Sequence, residues 1–174
     1  HGREHSFPTR RSSDLPFFVT ETLAVPADKV PATVRDAVIA RLARLSQSAR
    51  ALVNLAALVP GKTERWLLDK AAPESGSDFG ALLAECLAVG MVAMPDGSLA
   101  FRHELARRAV EEHLPVPQRQ ALHARILQIL QREIGHEIPT TRLVHHADLA
   151  GDEAAVLRHG PLAAERAARR SEEH

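Results

Sequence analysis

Residues 77–101 read SDFGALLAECLAVGMVAMPDGSLAF and predict a helix followed by a β-hairpin. Ser77 or Asp78 is suited to cap the helix, and the apolar residues that follow recur at three- and four-residue spacing. Gly90 stands where a left-handed glycine commonly ends a helix. The turn Pro-Asp-Gly at 95–97 separates two short apolar segments, which is typical of a hairpin.

Helices are predicted on both sides of this unit. One begins at Pro31, because proline is favoured in a first turn, and a second begins at Ser46, whose hydroxyl is a good N-cap. Thr63 is predicted to cap a third, short helix, and a further helix is predicted over residues 103–114. Helices around one short hairpin outline a winged-helix domain over residues 31–114.

Residues 115–169 predict three more helices. A long helix runs to about residue 134 with an apolar stripe, and two further helices flank Gly151. Antiparallel helix pairs are typical of an α-solenoid, so this part is interpreted as the first helices of a solenoid resembling tetratricopeptide repeats (TPR-like). The predicted fold class is therefore mainly α: a winged-helix domain with one short β-hairpin, followed by TPR-like helices.

Composition excludes several classes of protein. The chain has 174 residues, and its 22 Lys and Arg balance its 22 Asp and Glu, so it lacks the basic surplus of a general nucleic-acid binder. The single cysteine, Cys86, excludes an internal disulfide and a zinc site made of several cysteines, and its place on an apolar helix face predicts a buried, unreactive thiol. With no long apolar run and no signal peptide visible, we expect a cytoplasmic location.

Both ends of the chain resemble translated sequencing adapters. Residues 5–15 show no hydrophobic periodicity and resemble one reading frame of a common adapter, while residues 170–174 resemble a frame of the matching adapter. We therefore interpret residues 1–15 and 170–174 as an artefact and set them aside in predicting fold and function.

Four short motifs carry a resemblance to a known family. They are Pro16-Phe-Phe-Val-Thr-Glu, Val30-Pro-Ala-Thr-Val-Arg-Asp-Ala-Val, Phe101-Arg-His-Glu-Leu, and His145-His-Ala followed by Ala150-Gly-Asp. In this order and spacing, across residues 16–169, they resemble the middle of large bacterial LuxR-type transcriptional regulators. Those regulators are ATPases of the STAND class, which is related to the AAA+ ATPases.

The resemblance implies that the chain is the middle fragment of a multidomain protein. In that family a P-loop ATPase precedes a winged-helix domain, and a helical-repeat sensor region and a DNA-binding helix-turn-helix follow it. Residues 16–30 would then be the tail of the ATPase lid and a linker. The chain itself contains no Gly-x-x-x-x-Gly-Lys-Ser/Thr motif.

The function implied by the resemblance is that of a regulatory relay that couples nucleotide state to effector sensing. The fragment would not be an enzyme and would hold no cofactor of its own, while ATP or ADP would bind in the parent protein. Its partners would be the parent's own ATPase and solenoid domains and an unknown effector. Direct contact with nucleic acid or with a membrane is not expected of this part.

The candidate site lies in Phe101-Arg-His-Glu-Leu, where the hairpin returns into a helix. By resemblance, His103 would reach the β-phosphate of ADP bound in the parent, and an imidazole N–H at a helix N-terminus is suited to donate to phosphate. Arg102 has three alternatives: pairing with a phosphate, pairing with Glu104, or remaining a solvated charge. The alternative for His103 is packing against its own helix or capping it. Arg107 and Arg108 are expected to face water or a neighbouring domain.

Other sites and functions have less support in the residues. A metal site is not predicted, because the adjacent His145 and His146 would point about 100° apart on a helix. No catalytic constellation occurs in the sequence. Two alternative functions remain: a free-standing winged-helix DNA-binding domain, and the same relay in a cyclase or kinase that carries a STAND ATPase module. The first is disfavoured because the DNA-reading helix would carry Asp78 and Glu85 but no Lys or Arg.

Overall fold

The computed structural model describes residues 29–72 and 78–173, and this part of the chain is mainly helical. In chain order its elements are α1 (Ala32–Leu42), α2 (Gln47–Ala57), β1 (Lys62–Glu64), α3 (Arg65–Ala71), α4 (Phe79–Ala88), β2 (Val92–Ala93), β3 (Ser98–Phe101), α5 (Glu104–His113), α6 (Val116–Arg132), α7 (Thr140–Ala150) and α8 (Glu153–Glu172). The predictions for residues 1–28, including the lid helix, lie outside the described residues.

The strands form one small antiparallel sheet in the order β1-β3-β2. The predicted hairpin is confirmed as the pairing of β2 with β3, with Val92 opposite Phe101. The third strand, β1, was not predicted. Thr63 was expected to cap a helix, and this prediction is wrong, because the residue instead pairs with Leu99 of β3. The free edge of β3 offers backbone partners to residues 62–64, and Thr63 is buried there. Helix α3 therefore begins at Arg65, without a side-chain cap.

The first two helices form as the spacing of their apolar residues predicts. Helix α1 buries Val34, Val38 and Leu42. The N-cap of α2 is confirmed, because the Ser46 Oγ accepts a hydrogen bond from the Ala49 N–H at 3.2 Å. The same hydroxyl donates to a carboxylate oxygen of Glu85 in α4 at 2.9 Å. One serine therefore both starts α2 and ties it to α4.

A single apolar core extends from α1 into α6. Its buried members include Val30, Leu67 and Leu99 in the first part of the chain, and Ile126 and Leu130 in α6. The core is therefore continuous across residues 114 and 115, where the predicted domain boundary lies. A smaller buried cluster of Leu127, Ala147 and Ala155 joins α6 to α7 and α8.

The last two helices meet at Gly151, as predicted. This glycine has φ 73°, in the left-handed region, and directly follows α7. Helix α8 begins after Asp152, whose carboxylate accepts from the Ala155 N–H at 3.0 Å. It ends at Glu172 and so includes three residues that the sequence analysis set aside. Among the described residues, no helix combines the length and the apolar character needed to cross a membrane.

Gly151→Ala should lower the free energy of unfolding by about 1–2 kcal/mol, because a side chain in the left-handed region crowds the backbone. Urea denaturation followed by circular dichroism measures this loss. The matched control is Gly80→Ala in α4, where an added Cβ would meet only ordinary contact with Asp78 at 3.5 Å. The control should leave stability unchanged or raise it by up to about 1 kcal/mol. Equal effects of the two substitutions would contradict the conformational argument.

Candidate functional site

Arg102 and His103 lie at the junction between β3 and α5. The Arg102 N–H donates to the Met91 carbonyl at 2.9 Å, so the backbone pairing of the hairpin continues to this residue. His103 follows in an extended conformation at the N-cap position of α5. Both side chains are exposed, and the imidazole makes no capping hydrogen bond. The alternative in which the His103 side chain caps its helix is therefore not formed.

The acidic and basic side chains next to His103 form one ion-paired cluster, of which Arg102 is not a part. Glu104 pairs with Arg107 rather than with Arg102, at 2.8 Å. Hydrogen bonds from Arg107 hold the pKa of the Glu104 carboxyl below its usual value. The pairing of Arg102 with Glu104, one of the alternatives above, is thus not formed. Arg102 precedes His103 in the chain, just before the N-terminus of α5, where the helix dipole is positive.

Arg107 is a half-buried contact between two helices, which corrects the expectation that it faces water. Its side chain is only 17% exposed. One guanidinium nitrogen donates to the Ala57 carbonyl at 2.6 Å and to Glu111 at 3.0 Å. The hydrogen bond to Glu104, followed by the negative charge of Glu111, raises the pKa of Arg107 despite its burial. Because Ala57 ends α2, the arginine satisfies a free carbonyl at the negative end of that helix.

The outward face of α4 carries no cation. Its exposed positions are filled by small uncharged residues, namely Gly80, Ala81, Ala84 and Ala88. Glu85 is half-buried, and its two carboxylate oxygens bind the backbone N–H and the hydroxyl of Ser46. A helix that reads DNA presents donors to phosphates and base edges, and this face offers none.

A second feature, which the sequence analysis missed, is a buried pair of histidines between α6 and α7. We call His123 and His146 the histidine pair; they are 3% and 0% exposed. Their Nδ1 atoms lie 3.0 Å apart, within hydrogen-bonding distance. The Nε2 of His146 is buried and has no hydrogen-bond partner. The exposed His145 contacts both rings edge-on.

Burial determines the protonation state of the histidine pair. Loss of solvation, together with the nearby His145, lowers the pKa of His123 to about 4. Loss of solvation, followed by the effect of His123, lowers the pKa of His146 to about 3. Both rings are therefore neutral near pH 7. In the part of the chain that the structure describes, no three His, Cys, Asp or Glu side chains are arranged to hold a metal ion.

Two further contacts complete the surroundings of these sites. Arg142 of α7 forms a two-pronged ion pair with Glu64 of β1, with N–O distances of 2.5 and 2.8 Å. Burial raises the pKa of Glu64, but the hydrogen bond from Arg142, a backbone hydrogen bond and the positive charge of Arg142 together leave the pKa below its usual value. Cys86 is buried, its Sγ donates to the Ala49 carbonyl at 3.4 Å, and burial raises its pKa to about 11. The thiol is thus held in its protonated, unreactive form.

Comparison with known proteins provides no relative for this arrangement. No protein-family model matches the chain, and no curated protein or solved structure matches it either. Arguments about function therefore rest on the residues and on the geometry described above.

Proposed function

We propose that this chain is a regulatory relay segment of an ATP-dependent, LuxR-type transcriptional regulator of the STAND class. In this proposal residues 31–114 form a winged-helix domain and residues 115–169 begin a TPR-like solenoid. The segment couples the nucleotide state of the parent's ATPase domain to effector sensing, and it catalyses no reaction itself. Its partners are the ATPase and solenoid domains of the same parent protein.

The order of elements supports the winged-helix part of the proposal. Residues 47–101 run helix, strand, helix, helix, strand, strand, from α2 to β3. The first strand pairs with the last, so the sheet order is β1-β3-β2. A winged helix has this order of elements, with a short first strand joining a C-terminal hairpin.

Exposed apolar residues on α8 support the solenoid part. Leu157 is 76% exposed and Leu162 is 45% exposed on this last helix. Each helix pair of a solenoid covers its apolar surface with the next pair, so such residues fit the face on which a following repeat would pack. A continuation of the solenoid beyond α8 is thus part of the proposal.

The exposed imidazole of His103 is the observation that carries the nucleotide-sensing role. An exposed ring that makes no capping hydrogen bond is available to an external acceptor, and the side chain of the preceding Arg102 is exposed as well. The N-terminus of α5 adds a favourable field for an anion. These donors fit a phosphate group of ADP, which the parent's P-loop would hold. His103 would donate its imidazole N–H to that phosphate, and Arg102 would add positive charge.

Direct DNA binding by a free-standing winged helix has less support. The uncharged outward face of α4 and a net charge of zero both count against it. The second alternative, the same relay in a cyclase or kinase, differs from the proposal only in the effector domain of the parent. The sequence of the parent gene distinguishes these alternatives directly.

The test begins with long-read sequencing of the source gene through both ends of the segment that encodes this chain. We expect a P-loop upstream and a helix-turn-helix region downstream. A gene without a P-loop would overturn the proposal, and a cyclase or kinase domain in the gene would favour the second alternative.

His103→Ala in the full-length protein should weaken retention of ADP about tenfold or more, because a hydrogen bond to a charged group is lost. Retention is measured as the nucleotide that remains bound after gel filtration. The control is His113→Ala at the exposed far end of α5. Equal retention by the two variants would show that His103 does not sense the nucleotide.

A further inference from the structure

In the histidine pair, one N–H hydrogen lies between the two facing Nδ1 atoms. Each neutral imidazole carries one N–H, so at most one Nδ1 can be the donor across the 3.0 Å contact. The unpartnered Nε2 of His146 decides which one it is. A hydrogen on that atom would be a buried donor without an acceptor, whereas a bare nitrogen leaves an unpaired acceptor, which folded proteins tolerate more often. His146 therefore donates from Nδ1 to the Nδ1 of His123, and His123 carries its own hydrogen on Nε2.

We propose that the histidine pair is a proton-sensitive joint, which holds α7 against α6 while it is neutral and releases α7 when it takes up a proton. Neither ring of the pair can bind a further proton without an unfavourable contact. A proton on His123 sets two N–H groups against each other at 3.0 Å. A proton on His146 places an N–H and a positive charge on the buried, unpartnered Nε2.

The surrounding charges act on the pair from three helices. Glu111 of α5 favours the charged form of His123, while Arg119 of α6 and the neighbouring His145 oppose it. His145 and Arg142 of α7 likewise oppose a charge on His146. Together with burial, these groups keep both pKa values well below the value of about 6.5 for a free histidine.

The direction of the pH effect follows from the difference in pKa between a histidine in the packed pair and one released to water. A histidine released to water binds a proton near pH 6.5, whereas the packed pair does so only near pH 4 and below. The released state therefore takes up more protons as the pH falls through this window, and the packed joint loses stability there. Between pH 7 and pH 5 the equilibrium constant for release should rise about 25-fold for one histidine and several hundred-fold for both.

Release of α7 does not require the main core to unfold. Helices α7 and α8 join α6 through the small cluster of Leu127, Ala147 and Ala155, and Leu143 of α7 also packs against the edge of the main core. Further polar contacts are the Arg142–Glu64 ion pair and the contact of Gln131 in α6 with His159 in α8 at 3.4 Å. The lowered pKa of Glu64 keeps this carboxylate ionised at pH 5, so weakening at that pH is not due to loss of the ion pair.

Two measurements on the whole 174-residue chain test the joint. Imidazole ¹⁵N NMR at pH 7 should show hydrogen on Nδ1 of His146 and on Nε2 of His123, and a protonated Nε2 on His146 would overturn the assignment. Hydrogen exchange, expressed as protection factors, should show that protection of α7 falls at least about 25-fold from pH 7 to pH 5. At pH 5 it should also be lower than that of α2. Equal protection of the two helices would show that acid promotes only global unfolding.

A pair of variants assigns the effect to the histidines. The double variant His123→Asn/His146→Asn keeps a donor and an acceptor near the Nδ1 positions but binds no proton, so protection of α7 should no longer depend on pH. His113→Asn, exposed at the end of α5 and not among the groups that shift the pKa values of the pair, should keep the full dependence. Loss of the dependence in His113→Asn would overturn the proposal. If the double variant does not fold, the NMR and exchange data on the unmodified chain still decide. The proposal does not rest on the function proposed above.

Discussion

Ile126→Ala should lower the free energy of unfolding by about 2–5 kcal/mol, because it removes buried methyl groups and leaves a cavity. Ile126 is 0% exposed and belongs to the same core as Leu67 and Leu99. It lies in α6, beyond the predicted boundary at residue 115. A large effect on the unfolding of the whole chain would show that α6 shares one cooperative core with residues 31–114, so that the proposed solenoid does not fold independently of them.

Urea denaturation followed by circular dichroism measures the loss, and Ile134→Ala is the matched control. Ile134 lies just after α6 and is 97% exposed, so the same substitution there should change stability by less than about 0.5 kcal/mol. An Ile126→Ala effect as small as that of the control would contradict the continuous core. Two separate unfolding transitions would instead favour a boundary at residue 115.

Arg107→Met should lower the free energy of unfolding by about 1–3 kcal/mol. The substitution keeps most of the apolar stem but leaves the Ala57 carbonyl and Glu111 without their donor. Arg107→Lys should recover only part of this loss, because an ammonium group does not reproduce the planar fork of a guanidinium. The partial rescue distinguishes a specific hydrogen-bond network from a general need for positive charge.

The same denaturation experiment applies, with Arg169→Met as the control for Arg107→Met. Arg169 is 73% exposed and pairs with Glu165 one turn earlier on α8. An exposed pair of this kind contributes only a few tenths of a kcal/mol. If the two variants lose equal stability, Arg107 is a surface charge, and its contact with α2 has no energetic importance.

The helices of this fold could be predicted from local sequence, whereas part of the sheet could not. Spacing of apolar residues predicted α1, the serine hydroxyl predicted the start of α2, and Gly151 predicted the turn into α8. Strand β1 was missed because three residues show no periodicity and their partner, Leu99, lies far along the chain. Thr63 suits both a cap and a strand, and the sheet edge decides between them.

Of the two candidate sites, one could be predicted from local sequence and the other could not. The motif around residue 103 indicated His103 and Arg102, and the exposure of both side chains is compatible with the predicted role. The histidine pair was missed because His123 and His146 belong to different helices, and each alone resembles an ordinary polar residue. A histidine within the apolar stripe of α6 was the one local sign of it.

The buried Cys86 has a practical consequence for every experiment above. Because it is the chain's one cysteine and is 0% exposed, a thiol reagent can modify the protein only after α2 and α4 have separated. The rate of labelling therefore records how often the interior opens, without any engineered probe. A variant that loosens only α7 and α8 would leave the rate of Cys86 labelling unchanged. A variant that loosens α2 or α4 would raise that rate.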